Sequence, residues 1–165
     1  MKYKNFFIII HITLLTFSGF GQVNTNTLDH IASQLVTVGN INAQGEVFST
    51  YNTSVAAIGC EGNYCNIYAN PDAMSSKSLN TWAFIMGHEL GHYALGHTGC
   101  GKGGKQAEMD ADVYGAELAT RAGYNLSSYI NALQREPNTC SKSHGCWSER
   151  AVSYTHLTLP TICSV

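Results

Sequence analysis

Beyond its first twenty or so residues the chain has no apolar run of the length, about 20 residues, that a helix needs to cross a bilayer. No stable membrane span is therefore expected once the N-terminus is removed. It also lacks a basic patch. Lys and Arg number 9 against 11 Asp and Glu, and no nucleic-acid partner is expected from such a balance. Lys102-Gly103-Gly104-Lys105 is only a local, glycine-rich basic loop. No cysteine follows the N-terminal apolar run, so a lipoprotein anchor is unsupported. No internal repeat is present. One near-motif fails on a missing hydroxyl. Gly99 to Gln106 approaches the phosphate-binding pattern G-x-x-x-x-G-K-[ST], but Gln106 stands where Ser or Thr is required and no strand precedes it.

What the chain does have begins with Met1-Lys2-Tyr3-Lys4-Asn5, a short basic start. A mostly apolar run from Phe6 to Phe20 follows, and Gly19 and Gly21 offer small residues for cleavage before Gln22. This is the pattern of a secretory signal peptide over residues 1–21, with a periplasmic or extracellular destination. Losing Lys2 and Lys4 leaves seven basic and eleven acidic residues, a net charge of −4. Export permits disulfides. Cys60 lies near Cys65 and Cys140 near Cys146, so local bridges at each pair are the favoured reading. Six cysteines allow 15 connectivities, and a four-cysteine structural zinc site is the alternative.

His88-Glu89-Leu90-Gly91-His92 carries the chemistry. The motif is H-E-x-x-H within the apolar surroundings of Trp82 to Gly87 and Tyr93 to Leu95. Residues four apart share a face of a helix, so both imidazoles can bind one zinc ion. Glu89 is placed to hold the proton of an attacking water. Two incidental histidines on a helix are the plain alternative, but buried ionisable groups in apolar surroundings need a partner. A catalytic zinc usually takes three protein ligands. Glu108-Met109-Asp110-Ala111-Asp112 starts sixteen residues after His92 and opens a second helical stretch. Glu108 can be the third ligand, and Asp112, on the same face, can accept the second N–H of a ligating histidine. An acidic first turn that merely stabilises a helix N-terminus is the alternative for this pair. His97 is the rival ligand. The pattern H-E-x-x-H-x-x-G-x-x-H needs its glycine and histidine three and six residues after the second ligand. Gly96 and His97 come four and five after His92, so the register is off by one.

The combination of HELGH with EMDAD and the following VYGAELATRAGY resembles the gluzincin metallopeptidases of the CAAX prenyl protease and HtpX heat-shock protease type. The resemblance covers roughly Ile67 to Arg150. It implies a zincin-like domain with one Zn2+ ion, and a peptide or protein substrate. It also implies that a His and an Arg six residues apart, here His144 and Arg150, help stabilise the reacting carbonyl. Gly145 stands where that family usually has proline, and an ordinary surface histidine is the alternative for His144. The absence of further apolar runs departs from the membrane-embedded members and points to an exported relative. The resemblance further implies an edge strand above the metal that aligns the substrate backbone by strand addition. Tyr64 to Ala69 is the candidate, with a core strand as the alternative.

Along the chain, Leu28, Ile31, Ala32, Leu35 and Val36 recur at helical spacing up to Gly39. Glu46 to Tyr51, Val55 to Ile58 and Tyr64 to Ala69 read as strands, and Asn70-Pro71-Asp72 as a turn. Ser78 can cap the HELGH helix, which runs to about Gly96. The EMDAD helix runs to about Ala122, and Asn125 can cap another from Leu126 to Glu136. The expected class is α+β, helical with a small antiparallel or mixed sheet, in one metallopeptidase domain over residues 22–150. Val152 to Thr161 resembles the translation of a sequencing adapter, so residues 151–165 are expected to be non-native, with the natural domain cut near Arg150; a natural β-rich tail is the alternative.

The function expected from these readings is an exported zinc metalloendopeptidase: His88, His92 and Glu108 as ligands, Glu89 as general base, Asp112 behind a ligand, His144 and Arg150 on the oxyanion. The alternatives are a zinc-binding but catalytically idle interaction domain and a zinc amidase acting on cell-wall amides. Intact Glu89 argues against the idle domain, because zinc binding alone does not require it.

Overall fold

The computed structural model describes residues 23–98, 103–127 and 129–131, with the short pieces 140–141 and 145–146. The expected signal peptide, the tail after Arg150, and both His144 and Arg150 lie outside the described residues.

Helix α1 spans Thr25–Gly39. Asn24 caps it by accepting from the Thr27 N–H at 3.0 Å, an arrangement typically worth about 1 kcal/mol. Its apolar stripe buries Leu28, Ile31 and Leu35. The helix ends at Asn40, whose φ of 50° is a left-handed conformation that Asn tolerates.

Three strands follow: β1 (Val47–Ser49), β2 (Ala56–Glu61) and β3 (Tyr64–Ala69). Their order is β1-β3-β2, with β1 parallel and β2 antiparallel to β3. The sheet is thus mixed. β2 and β3 form a hairpin whose two-residue turn, Gly62-Asn63, has Gly62 at φ 62°, the first-position glycine of a type II′ turn. A disulfide joins Cys60 to Cys65 across this hairpin. Alternation puts Cys65, Ile67 and Ala69 on the buried face and Tyr64 and Tyr68 on the exposed one. Asp29 of α1 ties in the sheet by accepting from the Val47 N–H at 2.7 Å.

Helix α2 (Pro71–Ser76) is a short piece where the sequence predicts only a turn. Pro71 sits at its start and the Asn70 side chain accepts from the Asp72 and Ala73 N–H groups, so the turn signal also serves as a helix start. Helix α3 (Leu79–Ala94) begins at the predicted cap, Ser78. It is apolar on nearly every side, the mark of a central buried helix, and Trp82, Phe84 and Met86 are among its buried residues. Helix α4 (Lys105–Arg121) buries Ala107, Ala111, Asp112, Gly115, Ala116, Leu118 and Ala119. Residues 129–131 are helical, and the Asn125 side chain accepts from the Ser127 N–H. Strands β4 (Cys140–Ser141) and β5 (Gly145–Cys146) pair antiparallel with Cys140 opposite Cys146, and Cys146 is disulfide-bonded. Among the described residues no helix is long and apolar enough to cross a membrane.

One strand assignment needs correction. Tyr64 to Ala69, expected as the edge strand above the metal, is the central strand β3, hydrogen-bonded on both sides. The edge facing α3 belongs to β2. Strand order depends on contacts between distant segments, and local periodicity does not report it.

Candidate metal centre

The centre is built by two helices that pass unusually close. A β-carbon placed on Gly87 of α3 would lie 2.7 Å from the Gly115 carbonyl oxygen of α4. One on Gly115 would press into the backbone of His88, and one on Gly91 would lie 3.1 Å from the Ala111 oxygen. The small residues Gly87 and Gly91 therefore meet Gly115 and Ala111 in antiparallel order. The neighbouring positions His88 and His92, also four apart, then stand along one rim of the contact, facing Glu108 and Asp112 of α4. This pairing of small residues was a signal in the sequence, and it was not read there.

At the rim, His88 Nε2 lies 3.0 Å from His92 Nε2. Glu108 Oε2 lies 3.5 Å from His88 Nε2, and Glu108 Oε1 lies 3.6 Å from His92 Nε2. The three residues offer ligand atoms all within 4.8 Å of one another, close enough to hold one metal ion. Asp112, with no exposure at all, places Oδ1 2.7 Å from His88 Nδ1. An ionised carboxylate there accepts the Nδ1 proton, which directs the other nitrogen, Nε2, toward Glu108 and His92.

The electrostatics are those of several ligands crowding one point. Burial pulls His88 down, but hydrogen bonds to Asp112 and Glu108, with the charges of Asp112 and Glu89, outweigh it and push His88 up to about 9. His92 is pulled down to about 4, by burial first and by the charge of His88 second. The two Nε2 atoms and the Glu108 carboxylate thus converge on one point. A cation placed at the same point satisfies both nitrogens and the Glu108 carboxylate together.

Glu89 is buried beside this group. Burial raises its pKa and the nearby Glu108 adds to that, while the charge of His88 and a backbone hydrogen bond from Ile58 pull the other way. Ile58 is in β2, so the edge strand reaches the motif at Glu89. Sequence reasoning missed this residue, and no local signal marks it. His97 follows the end of α3, with its ring centroid 5.6 Å from that of His92. Its Nδ1 is buried without a hydrogen-bond partner, but His97 does not belong to the ligand group among the described residues.

Comparison with protein-family models and with curated proteins finds no match for this chain.

Proposed function

We propose that this protein is an exported zinc metalloendopeptidase with a zincin-like fold. The observation that carries the reading is the meeting of His88, His92 and Glu108 at one point, with buried Glu89 between that point and the outer edge of β2, where it takes the Ile58 backbone hydrogen bond. Four ligands held at about 2.0–2.1 Å in tetrahedral directions stand roughly 3.3–3.4 Å apart. The separations of 3.0, 3.5 and 3.6 Å, the last two to different oxygens of the Glu108 carboxylate, lie close to that spacing.

His88, His92 and Glu108 would hold the ion. Bound there, zinc supplies Lewis acidity for a scissile carbonyl and lowers the pKa of water toward about 7. Glu89 takes the proton from the attacking water and returns it to the leaving amine. Its upward-shifted carboxyl suits both halves of that cycle. Asp112 holds the His88 ring in the tautomer that leaves Nε2 free to ligate. The outward edge of β2 takes an extended peptide backbone by strand addition. His144 and Arg150 are assigned to the oxyanion on the family resemblance alone. Export rests on the N-terminal pattern, and the Cys60–Cys65 disulfide is compatible with it.

The test is the metal content of the purified chain by elemental analysis, with cleavage of a quenched generic peptide before and after chelation. One zinc per chain and cleavage abolished by chelator is the expected result. Zinc without cleavage of any peptide would favour an idle binding domain, and cleavage confined to cell-wall amides would favour an amidase.

A further inference from the structure

The exposed face of the sheet carries more aromatic surface than a solvent-facing sheet needs. Phe48 is 42 % exposed and Tyr68 37 % exposed. They are register partners on β1 and β3, and their rings stack at 6.0 Å with planes 28° apart. On the edge strand the same face carries Ala57, Gly59 and, at the hairpin end, Glu61, so its middle is bare of side chain at Gly59. A β-carbon on Gly59 would lie 3.5 Å from Tyr68 Cε2. The Tyr68 ring therefore lies against the glycine and reaches toward the free edge.

The register shows which backbone groups that edge offers. The N–H groups of Cys65 and Ile67 donate to Gln44 and Glu46, on the side away from β2. Their partners Cys60 and Ile58 are therefore the non-hydrogen-bonded positions of the hairpin, and their own N–H and C=O groups point outward. At Ile58 the outward N–H meets Glu89, while at Cys60 the edge is open among the described residues. A strand added antiparallel to β2 thus pairs with the outward groups of Cys60 and runs past Glu89, which holds the Ile58 N–H. Its residue opposite Gly59 occupies a narrow, non-hydrogen-bonded pair, where side chains come closest. That side chain shares the outer face with Gly59, meets no side chain directly opposite, has Ala57 and Glu61 as diagonal neighbours, and finds the Tyr68 ring behind Gly59.

We propose that Gly59 and Tyr68 form a shelf that selects a large apolar side chain, aromatic above all, in an extended peptide added to the outer edge of β2, which is open at Cys60 among the described residues. The selected residue is the one immediately N-terminal to the residue facing Ile58. The proposal deepens the hydrolase reading and rests on it for the claim that the added strand is a substrate. The shelf itself is a binding feature and is read without metal.

The experiment uses the full chain, freed of metal by chelation, and a fluorescein-labelled heptapeptide of alanine and threonine. The central residue is phenylalanine, leucine, alanine or aspartate, and binding is followed by anisotropy. The phenylalanine peptide is expected to bind about three- to fivefold more tightly than the alanine peptide, the range of an aromatic cross-strand pair. Tyr68→Ala should bring that ratio close to one, Tyr68→Phe should keep it, and Gly59→Thr, which fills the shelf while retaining strand preference, should also abolish it. Equal binding of the phenylalanine and alanine peptides to the unmodified chain would overturn the shelf, as would a ratio unchanged in Tyr68→Ala. Cleavage by the zinc-loaded chain, mapped by mass spectrometry, separates the two readings. Cleavage with no preference near the cut overturns the shelf alone. Aromatic-dependent binding with no cleavage supports the shelf and counts against the hydrolase.

Discussion

The α3–α4 pair and the three-stranded sheet both use glycine, and they use it for opposite ends. Between the helices, Gly87, Gly91 and Gly115 let two backbones touch, and any added atom meets main chain. In β2, Gly59 faces open surface bordered by one aromatic ring. The helical contact sets a cluster of buried polar groups, His88, Glu89 and Asp112, beside it. The sheet, among the described residues, leaves its aromatic face and the edge of β2 at Cys60 uncovered beside that cluster. The difference is one of packing: backbone meets backbone between the helices, while the glycine of β2 has a single ring beside it.

Gly115→Ala should separate the two regions most clearly. Alanine is the better helix former by about 1 kcal/mol, yet its β-carbon has no room against the His88 backbone. A net loss of about 1–3 kcal/mol is expected, as for other overpacked contacts. Thermal denaturation would detect it, and an unchanged or raised melting temperature would show that the helices are not as tightly apposed as described. Asp112→Ala comes next, with metal affinity reduced by about 10–100-fold in a chelator competition. Unaltered affinity would remove Asp112 from its place behind His88.

In the sheet the expected effects are smaller or leave the metal untouched. Replacing both Cys60 and Cys65 by Ala removes the hairpin clamp, and for so short a loop the cost is about 2 kcal/mol. Zinc stoichiometry should survive, since neither cysteine is in the ligand group. Loss of zinc would mean that the edge strand helps to hold the centre together. Gly59→Ala should change stability by less than about 0.5 kcal/mol, as for most surface changes. A larger loss would place Gly59 in a contact of the kind found between α3 and α4.

The helical region was the more legible in the sequence, for a physical reason. A helix brings residues four apart together by its own period, so His88 with His92, and Glu108 with Asp112, could be paired within each segment. Ser78, Gly39 and Asn125 marked helix boundaries through local hydrogen-bonding and turn chemistry that a sequence displays. The meeting of the two pairs was reached by asking what a third ligand requires. The close approach of Gly87 to Gly115 was not reached, because small residues announce contact only when both helices are known to face each other. The sheet was harder to read. The strand β3 was identified with its bounds, Tyr64–Ala69, yet assigned to the edge when it is central. Ile58, placed at the end of a predicted strand, lies in the middle of β2 and reaches Glu89. Both facts depend on strand order, which long-range packing decides. α2 went unread because Asn70-Pro71-Asp72 signals a turn and a helix start alike.

In the proposed centre three residues hold the metal while a fourth, beside them, does the proton transfer. Glu89→Gln and Glu108→Ala each remove one carboxylate from the same cluster, so charge alone cannot separate their effects. Zinc content by elemental analysis and cleavage of a quenched peptide, measured on both purified variants and the unmodified chain, can do so. The account predicts that Glu89→Gln keeps one zinc per chain and loses cleavage by a factor on the order of 10²–10⁴, the range of a general base. Glu108→Ala should lose the zinc with the activity. A Glu89→Gln chain that cleaves at the unmodified rate would contradict the account, and a Glu108→Ala chain that keeps tight zinc would pass the third ligand to another residue, His97 first.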